Sequence, residues 1–239
     1  MIKAVFFDMD GTILDTAEDL ARAVNYAMGA AGHRHDYTKA DACLLFGSGV
    51  QVAIRRALAI ERGVDREALG VIGTPEEGEI SPELAAETER IRVLYAPYYN
   101  AHCEEHTGPF AGIPEAIAAL RSRGIRTAVV SNKPDSAAQI LSKKYFAGAF
   151  DLSIGERPTV RRKPAPDALL ACMRALNAAP EESVYIGDTE IDLQTAANAG
   201  IPCIAVTWGF RPEAELRAGG ALHIAHTAEE MLRAILALG

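Results

Sequence analysis

The chain has 239 residues, of which 49% are apolar and 23% are charged, so it has the composition of a globular protein with one large domain or a core domain and a smaller partner. Its formal net charge of −8 at pH 7 argues against nucleic acid as the main partner, because a phosphate backbone requires a basic surface. No uncharged apolar run approaches the length of a membrane span, and we expect neither a signal peptide nor a membrane partner.

The first informative stretch is Asp8-Met9-Asp10-Gly11-Thr12, which follows the apolar run Ala4-Val5-Phe6-Phe7. The apolar run predicts a buried strand. In an open α/β sheet, ligands bind in the crevice beyond the carboxyl ends of the strands, which is where these two carboxylates would lie. Gly11 permits the chain to curl so that both carboxylates approach one bound group. The alternative is that Asp, Gly and Thr only form the turn that ends the strand.

Residues 16–107 have helical periodicity and no convincing strand. A first helix carries its apolar stripe at Leu20 and Val24, and the long helix that starts at Ser81-Pro82 should kink or end at Pro97. Two further helices and a loop rich in Gly, Pro and Glu are predicted between them, at Ala40–Phe46, Val50–Arg62 and Val71–Ser81. This helical block interrupts the chain directly after the first strand. We therefore predict an α-helical cap domain, residues 16–107, inserted into a core of residues 1–15 and 108–239.

From Phe110 onward, apolar strands alternate with amphipathic helices. The strands are predicted at Ile125–Val130, Leu152–Ile154, Val184–Ile186, Cys203–Val206 and Leu222–Ile224. The helices are predicted at Ile113–Arg123, Asp135–Tyr145, Pro166–Leu176, Ile191–Ala199 and Ala228–Leu236. Alternation of this kind predicts an α/β fold with a Rossmann-like parallel sheet and helices on both of its faces.

Two polar segments follow strands or precede helices of this core. Ser131-Asn132-Lys133 follows a strand, and its hydroxyl and backbone donors could hold a phosphate oxygen. The alternative is that Ser131 caps the next helix. Lys163 ends the basic run Arg161-Arg162-Lys163, which would ordinarily be a solvated face. Pro164 and Pro166 stiffen the backbone there, and a fixed ammonium suits a phosphate.

The segment Gly187-Asp188-Thr189-Glu190-Ile191-Asp192 follows the strand Val184–Ile186. Asp188 ends that strand as Asp8 ends the first one. Carboxylates that gather in one crevice repel each other unless a cation binds, and oxygen ligands with open positions suit Mg²⁺. The alternative is that Asp188 and Asp192 cap the next helix and favour its start through the helix dipole.

These four segments, in this order, resemble the four motifs of the haloacid dehalogenase superfamily of phosphotransferases. The resemblance implies that Asp8 is the nucleophile and Asp10 the general acid and base. It implies that Ser131 and Lys163 bind the transferring phosphoryl group and that the cap shields this group from water. The implied Mg²⁺ site consists of Asp8, the carbonyl oxygen of Asp10, and Asp188, with Asp192 in support.

Within the superfamily, the helical cap resembles that of the phosphoglycolate phosphatase-like branch. Three segments are also similar to this branch: Leu44-Leu45-Phe46-Gly47-Ser48-Gly49, Arg55-Arg56-Ala57-Leu58 and Trp208-Gly209-Phe210. This branch implies a small phosphorylated metabolite as substrate, and a monomer or homodimer. The expected substrate contacts are Thr12, Ser131, Asn132 and Lys163 in the core, and Gly47 and Ser48 in the cap. The acidic loop, Gly73 to Glu79, has no place in this pattern.

Other members of the superfamily remain as alternatives. The dehalogenases lack the second Asp, so Asp10 argues against them. A phosphonate hydrolase would need a Schiff-base lysine in the cap, where Lys39 has no supporting context. A β-phosphoglucomutase-like mutase shares the four motifs and the helical cap and stays open. A non-catalytic phosphoryl-binding module should show damage in the motifs, and none is visible.

Histidines and cysteines are the remaining candidates for metal binding or disulfide formation. The pairs His33/His35 and His102/His106 lack the matching Cys or carboxylate pattern of a metal site, and we expect surface or packing roles for them. The four cysteines are scattered, with no Cys-x-x-Cys. We therefore expect free thiols and a cytoplasmic location.

Overall fold

The computed structural model describes residues 1–238 and divides them into two compact units. One unit comprises Met1–Asp15 and the chain from Gly108 onward, and the other comprises Thr16–Thr107. The first unit contains the main sheet, whereas the second is built from helices. That the first performs the chemistry and the second selects the substrate stays a prediction.

Six strands of the first unit form one parallel sheet. Their bounds are β1 Ala4–Phe7, β4 Arg126–Pro134, β5 Leu152–Glu156, β6 Ser183–Gly187, β7 Cys203–Val206 and β8 His223–Ala225. They are arranged in the order β5-β4-β1-β6-β7-β8. β1 pairs in parallel with both β4 and β6, and all four of its residues are buried. A central strand covered on both faces explains why its sequence is continuously apolar rather than alternating.

Six helices accompany this sheet, and the predicted α/β architecture is confirmed. Their bounds are α5 Ile113–Ser122, α6 Asp135–Tyr145, α7 Asp167–Ala175, α8 Glu190–Ala199, α9 Glu213–Ala218 and α10 Ala228–Ala237. Residues of α7 and α8 pack into one buried cluster with Phe6 and Tyr185 of the sheet. Three of the α-helices and β-strands of this unit were not predicted: α9, and the two-residue strands β2 (Leu14–Asp15) and β3 (Gly108–Pro109), which form an antiparallel pair. All three are short, so they leave little periodic signal.

Four α-helices and two short 3-10 helices form the second unit. The α-helices are α1 Ala17–Ala30, α2 Lys39–Leu45, α3 Val50–Glu61 and α4 Pro82–His102, and the 3-10 helices are Arg66–Val71 and Pro75–Glu77. α2 begins at a capping box, in which the Thr38 hydroxyl accepts from Asp41 N at 3.2 Å and the Asp41 carboxylate accepts from Thr38 N at 2.9 Å. α4 continues beyond Pro97 to His102, so of the two predicted outcomes, a kink or an end at Pro97, the end does not occur. Burial of Tyr95 and Tyr99 on either side of the proline offsets the roughly 3 kcal/mol that an internal proline costs.

Two buried arginines of α3 hold the loops of this unit. The Arg56 guanidinium donates to the carbonyl oxygens of Leu44, Leu45, Leu69 and Ile72. Arg55 makes a two-pronged ion pair with Glu77, at 2.7 and 2.8 Å. Glu77 also accepts from the backbone N–H of Gly73 at 2.7 Å. The acidic loop therefore has a structural place, because Glu77 fastens it to α3.

Two expectations from composition can be compared with the fold. All four cysteines are free thiols. In the described part of the chain no single helix has the length and apolar character to span a membrane, although α2 and α3 taken together, as a bent pair, satisfy that test by length and composition alone.

His33 links the loop after α1 to two other helices of this unit. Its Nδ1 lies 2.8 Å from Oε2 of Glu61 on α3, and its Nε2 lies 2.7 Å from Oε1 of Glu87 on α4. Both ring nitrogens can donate only when the imidazole is protonated. Partial burial alone would lower the pKa of His33, but the hydrogen bonds to Glu87 and Glu61 outweigh it and raise the pKa above 6.5.

This bridge predicts a pH-dependent stability of the helical unit. A folded-state pKa above the unfolded value stabilises the fold fully below the unfolded value of about 6.5, and the effect disappears as pH rises through the folded value. We expect the melting temperature of the wild type to exceed that of His33→Gln most at pH 5.5–6.5, with the gap closing at higher pH. The exposed His223 provides the control variant His223→Gln, and a gap independent of pH would contradict the bridge.

Candidate active site

The loop after β1 curls tightly and brings its polar residues to the carboxyl end of the sheet. The carbonyl oxygen of Met9 accepts from the backbone N–H groups of Ile13 and Leu14 at 3.1 and 3.0 Å. Gly11 has a φ of +78°, in the region that favours glycine. The curl brings the Thr12 hydroxyl to Oδ1 of Asp188, to which it donates at 2.7 Å. The first and fourth predicted motifs therefore meet.

The Lys163 ammonium lies buried at the centre of the site. Its Nζ is 2.9 Å from Oδ1 of Asp8, 2.7 Å from Oδ1 of Asp192 and 3.0 Å from the Tyr185 hydroxyl. Burial alone would lower the pKa of Lys163, but the carboxylates of Asp192 and Asp8 raise it well above its usual value. Lys163 is therefore a group that carries its positive charge at neutral pH, in a position fixed by three polar contacts.

Asp8 experiences opposite influences. Burial raises its pKa to about 6, the neighbouring Asp192 and Asp10 also raise it, and Lys163 acts to lower it. The carboxylate at the end of the central strand is thus poised to lose its proton near neutral pH. A buried carboxylate with a pKa shifted in this way is a candidate for a catalytic role.

Asn132 fastens the segment that carries Lys163. Its Oδ1 accepts from the Lys163 backbone N–H at 2.8 Å, and its Nδ2 donates to the Lys163 carbonyl oxygen at 3.1 Å. The amide thereby sets where the Lys163 side chain begins. Its predicted contact with substrate stays a prediction.

Ser131 lies within β4, and α6 begins at Asp135 with no side-chain cap. The alternative that Ser131 caps this helix is therefore wrong. The Ser131 hydroxyl oxygen accepts from the backbone N–H of Lys133 at 3.3 Å. Its own proton is left to donate to a ligand.

Three buried carboxylates form an acidic cluster. One oxygen each from Asp8, Asp188 and Asp192 can be chosen so that all lie within 4.8 Å of one another. Burial raises the pKa of Asp188 well above its usual value, and the negative charges of Asp192 and Asp8 raise it further. A buried set of oxygen ligands with mutual repulsion fits a hard divalent cation. This cluster could therefore hold a metal ion.

Asp192 is also bound by the start of α8. Its Oδ2 accepts from the backbone N–H groups of Asp188 and Thr189 at 3.2 and 3.0 Å, and from the Thr189 hydroxyl at 2.7 Å. The helix-capping alternative is thus correct for Asp192. It does not exclude the predicted supporting role, because Oδ1 of the same carboxylate contacts Lys163.

The segment after β7 contributes contacts for which the sequence predicted no role. The Phe210 backbone N–H donates to Oδ2 of Asp188 at 2.7 Å, and the Trp208 indole N–H donates to the Thr12 carbonyl oxygen at 3.0 Å. A Cβ on Gly209 would lie 2.3 Å from both Asp188 Oδ2 and the Gly11 carbonyl oxygen. We refer to the contacts of this segment with Asp188 and with the loop after β1 as the clamp. The Trp-Gly-Phe pattern was its signal in the sequence.

A second buried lysine also lacked a predicted role. The Lys133 ammonium lies 2.7 Å from Oδ1 of Asp10, and its side chain is 1% exposed. Each of the two leading aspartates is therefore paired with its own lysine. Only the position of Lys133, two residues after Ser131, could have drawn attention to it.

Gly47 and Ser48 lie in the helical unit, between α2 and α3. Gly47 has a φ of +113°, and Ser48 is buried. Their predicted contact with substrate stays a prediction.

The clamp on Asp188 leads to a matched pair of glycine variants. In Gly209→Ala the added methyl must displace Asp188, and disturbing the support of a metal ligand typically weakens metal affinity about 10- to 100-fold. Gly70→Ala is the control, because its Cβ would meet no atom within 4 Å. Titration calorimetry with Mg²⁺ should show weaker binding in Gly209→Ala and unchanged binding in Gly70→Ala. Equal affinities would refute the clamp.

Comparisons with known proteins point to a single family. The family description haloacid dehalogenase-like hydrolase matches residues 2–200 of the chain. Phosphoglycolate phosphatases from Shigella boydii serotype 4 and Escherichia coli K12 are 33% and 32% identical to it, over 216 and 218 residues. Each alignment covers 87% of this chain and 82% of the relative.

Solved structures agree with this similarity. A candidate phosphoglycolate phosphatase from Lactobacillus delbrueckii subsp. bulgaricus has a TM-score of 0.93 at 48% identity, over 98% of both chains. CbbY from Rhodobacter sphaeroides, solved in complex with phosphate, has a TM-score of 0.69 at 26% identity, over 97% of this chain and 96% of its own.

Proposed function

The chain belongs to the haloacid dehalogenase-like hydrolases and is a phosphatase of that family, and from this premise we propose how it works. It hydrolyses a small, phosphoglycolate-like phosphate monoester through an aspartyl phosphate on Asp8, with Mg²⁺ as cofactor. The family and the enzyme class are predictions from sequence that the comparisons confirm. The substrate, the intermediate and the metal are our proposals.

The observation that carries the proposal is the pairing of two aspartates with two buried lysines at the carboxyl end of β1. Asp8 attacks the phosphorus, and the bond from phosphorus to the leaving oxygen breaks as the new bond to Asp8 forms. Asp10 donates its proton to that leaving oxygen. Asp10 then takes a proton from water, which attacks the phosphorus and releases inorganic phosphate and the free Asp8 carboxylate.

Lys163 and Ser131 are proposed to bind the transferring phosphoryl group. Lys163 supplies a positive charge that its raised pKa maintains at neutral pH despite burial, and such a fixed charge stabilises the negative charge that develops during transfer. The Ser131 hydroxyl has a proton to donate to a phosphoryl oxygen. Thr12 binds Asp188, which favours a role in holding the acidic cluster over its predicted role at the substrate.

The acidic cluster supports Mg²⁺ as the cofactor. Asp8, Asp188 and the carbonyl oxygen of Asp10 would hold the ion, and Asp192 would keep the surrounding backbone and Lys163 in place. A bound Mg²⁺ neutralises charge on the substrate phosphate and relieves the repulsion among the carboxylates. The nucleophilic attack and the proton transfers are carried out by the side chains of Asp8 and Asp10, as described above.

The relatives support a phosphoglycolate-like substrate, since two of them at 32–33% identity are named phosphoglycolate phosphatases. We propose that the helical unit, through Gly47 and Ser48, selects among small phosphorylated metabolites. We also propose a cytoplasmic location, which the four free thiols support.

A substrate panel tests the function and the role of the helical unit together. Purified protein with Mg²⁺ should release phosphate from small monoesters, phosphoglycolate among the best. EDTA should abolish release, and added Mg²⁺ should restore it. Ser48→Ala should change the ratio of kcat/KM between substrates. Full activity in EDTA would refute the metal proposal, uniform loss in Ser48→Ala would refute selection, and isomerisation of a sugar phosphate without phosphate release would favour the mutase.

The roles of the two aspartates can be separated by mass spectrometry. Asp8→Asn should form no phosphoenzyme. Asp10→Asn should lose activity on alkyl phosphates by about 100-fold or more, since general acid–base groups contribute that much. With an aryl phosphate it should still phosphorylate Asp8, because a phenolate leaves without a proton, and then stall. Rapid quench and intact mass should show an adduct only in Asp10→Asn, and equal adducts in both variants would overturn the assignment.

A further inference from the structure

We propose that Lys133 is a positioning residue that holds the carboxylate of Asp10 for both of its proton transfers. This inference rests on the proposed function, because it assigns the acid and base role to Asp10. It goes beyond that function by adding a residue that the mechanism above does not use.

The geometry of the pair is specific to one oxygen. Lys133 Nζ lies 2.7 Å from Oδ1 of Asp10, and the Lys133 side chain is 1% exposed whereas that of Asp10 is 17% exposed. Oδ1 is the buried oxygen, and it meets the ammonium in an ionic contact rather than an aligned hydrogen bond. Fixing Oδ1 on the buried side turns the rest of the carboxylate outward. Oδ2 is then the oxygen available for proton transfer.

The backbone around Lys133 is held independently of Asp10. The pairing of β4 with β5 shifts register between Val130 and Pro134, and the Lys133 N–H donates to the Ser131 hydroxyl. A Cβ on Gly155 of β5 would lie 2.6 Å from the Lys133 carbonyl oxygen. The neighbouring strand thus approaches the Lys133 backbone as closely as a glycine allows. The ammonium therefore starts from a fixed point.

The chemistry explains why a fixed Asp10 matters. The same carboxyl group must meet the leaving oxygen in the first step and a water molecule in the second. General acid–base catalysis requires hydrogen-bond distance in each. Asp10 lies in the curled loop after β1 rather than in a strand, so its side chain needs a partner to restrict it. An ammonium at one oxygen supplies the restriction and leaves the other oxygen free.

The test compares alkyl with aryl leaving groups, and it compares the effect of a Lys133 variant in the wild type with its effect in Asp10→Asn. Lys133→Met should lower kcat/KM for an alkyl phosphate by about 10- to 100-fold, part of the acid–base contribution. Phosphorylation of Asp8 by an aryl phosphate should stay within about threefold, and its phosphoenzyme should accumulate because the second step needs Asp10. In an Asp10→Asn background, Lys133→Met should have no further effect, since residues that act as one unit are non-additive. Lys133→Arg should restore most alkyl-phosphate activity.

The controls separate the possible failures. The exposed Lys143 provides Lys143→Met, which should behave as the wild type. If Lys133→Met does not fold, the double variant, which removes both charges of the pair, and Lys133→Arg still carry the test. Equal loss with alkyl and aryl phosphates, additive loss in the Asp10→Asn background, or no rescue by arginine would each overturn the proposal. A wild type that never forms a phosphoenzyme would instead overturn the proposed function.

Discussion

The core site depends on the ionic contacts that the buried ammonium of Lys163 makes with its neighbouring carboxylates. The ammonium contacts Asp8 and Asp192 together, and Asp188 lies beside both in the same acidic cluster. Removing one partner of such a buried ionic group typically costs about 3–5 kcal/mol, because the remaining charge is left without compensation. One ammonium does not balance three carboxylates, and the raised pKa values of Asp8 and Asp188 express that imbalance. This excess of negative charge supports the proposal that the cluster binds a divalent cation.

The topology explains why these groups meet. β1 pairs with β4 on one side and with β6 on the other, so the carboxyl ends of three parallel strands lie next to each other. Asp8 follows β1, Ser131 lies near the end of β4, and Asp188 follows β6. Lys163 reaches the same place from the segment before α7, and Asn132 of β4 holds its backbone. The helical unit interrupts the chain without disturbing this arrangement, because β1 finds both partners after the insertion.

The sequence was informative where the signal is local. The apolar run of β1 and the alternation after Phe110 predicted the sheet, and the motifs predicted polar residues, among them Asp8, Lys163 and Asp188, that the fold brings together. The contacts of Lys133, Tyr185 and Gly209 could not be predicted, because each depends on a partner that only the fold brings close. The sequence left open whether α4 would kink or end at Pro97 for a related reason, since burial of the neighbouring residues outweighs local propensity. The ion pair between Glu77 and Arg55 could not be predicted either, because Glu77 lies in a loop whose sequence has no periodicity.

Structural and catalytic interpretations of a polar residue need not compete. The sequence predicts two alternative roles for Asp192, a helix cap or support for a metal site. In the structure Asp192 caps α8 with Oδ2 and contacts Lys163 with Oδ1. Asp188 likewise uses hydrogen bonds from Thr12 and Phe210 to fix its carboxylate. A carboxylate held by backbone donors loses little conformational freedom when it binds a ligand, so the same bonds that end a strand or begin a helix also preorganise the site. Hydrogen bonds of turns and helix caps at the strand ends therefore orient the groups that we propose as catalytic.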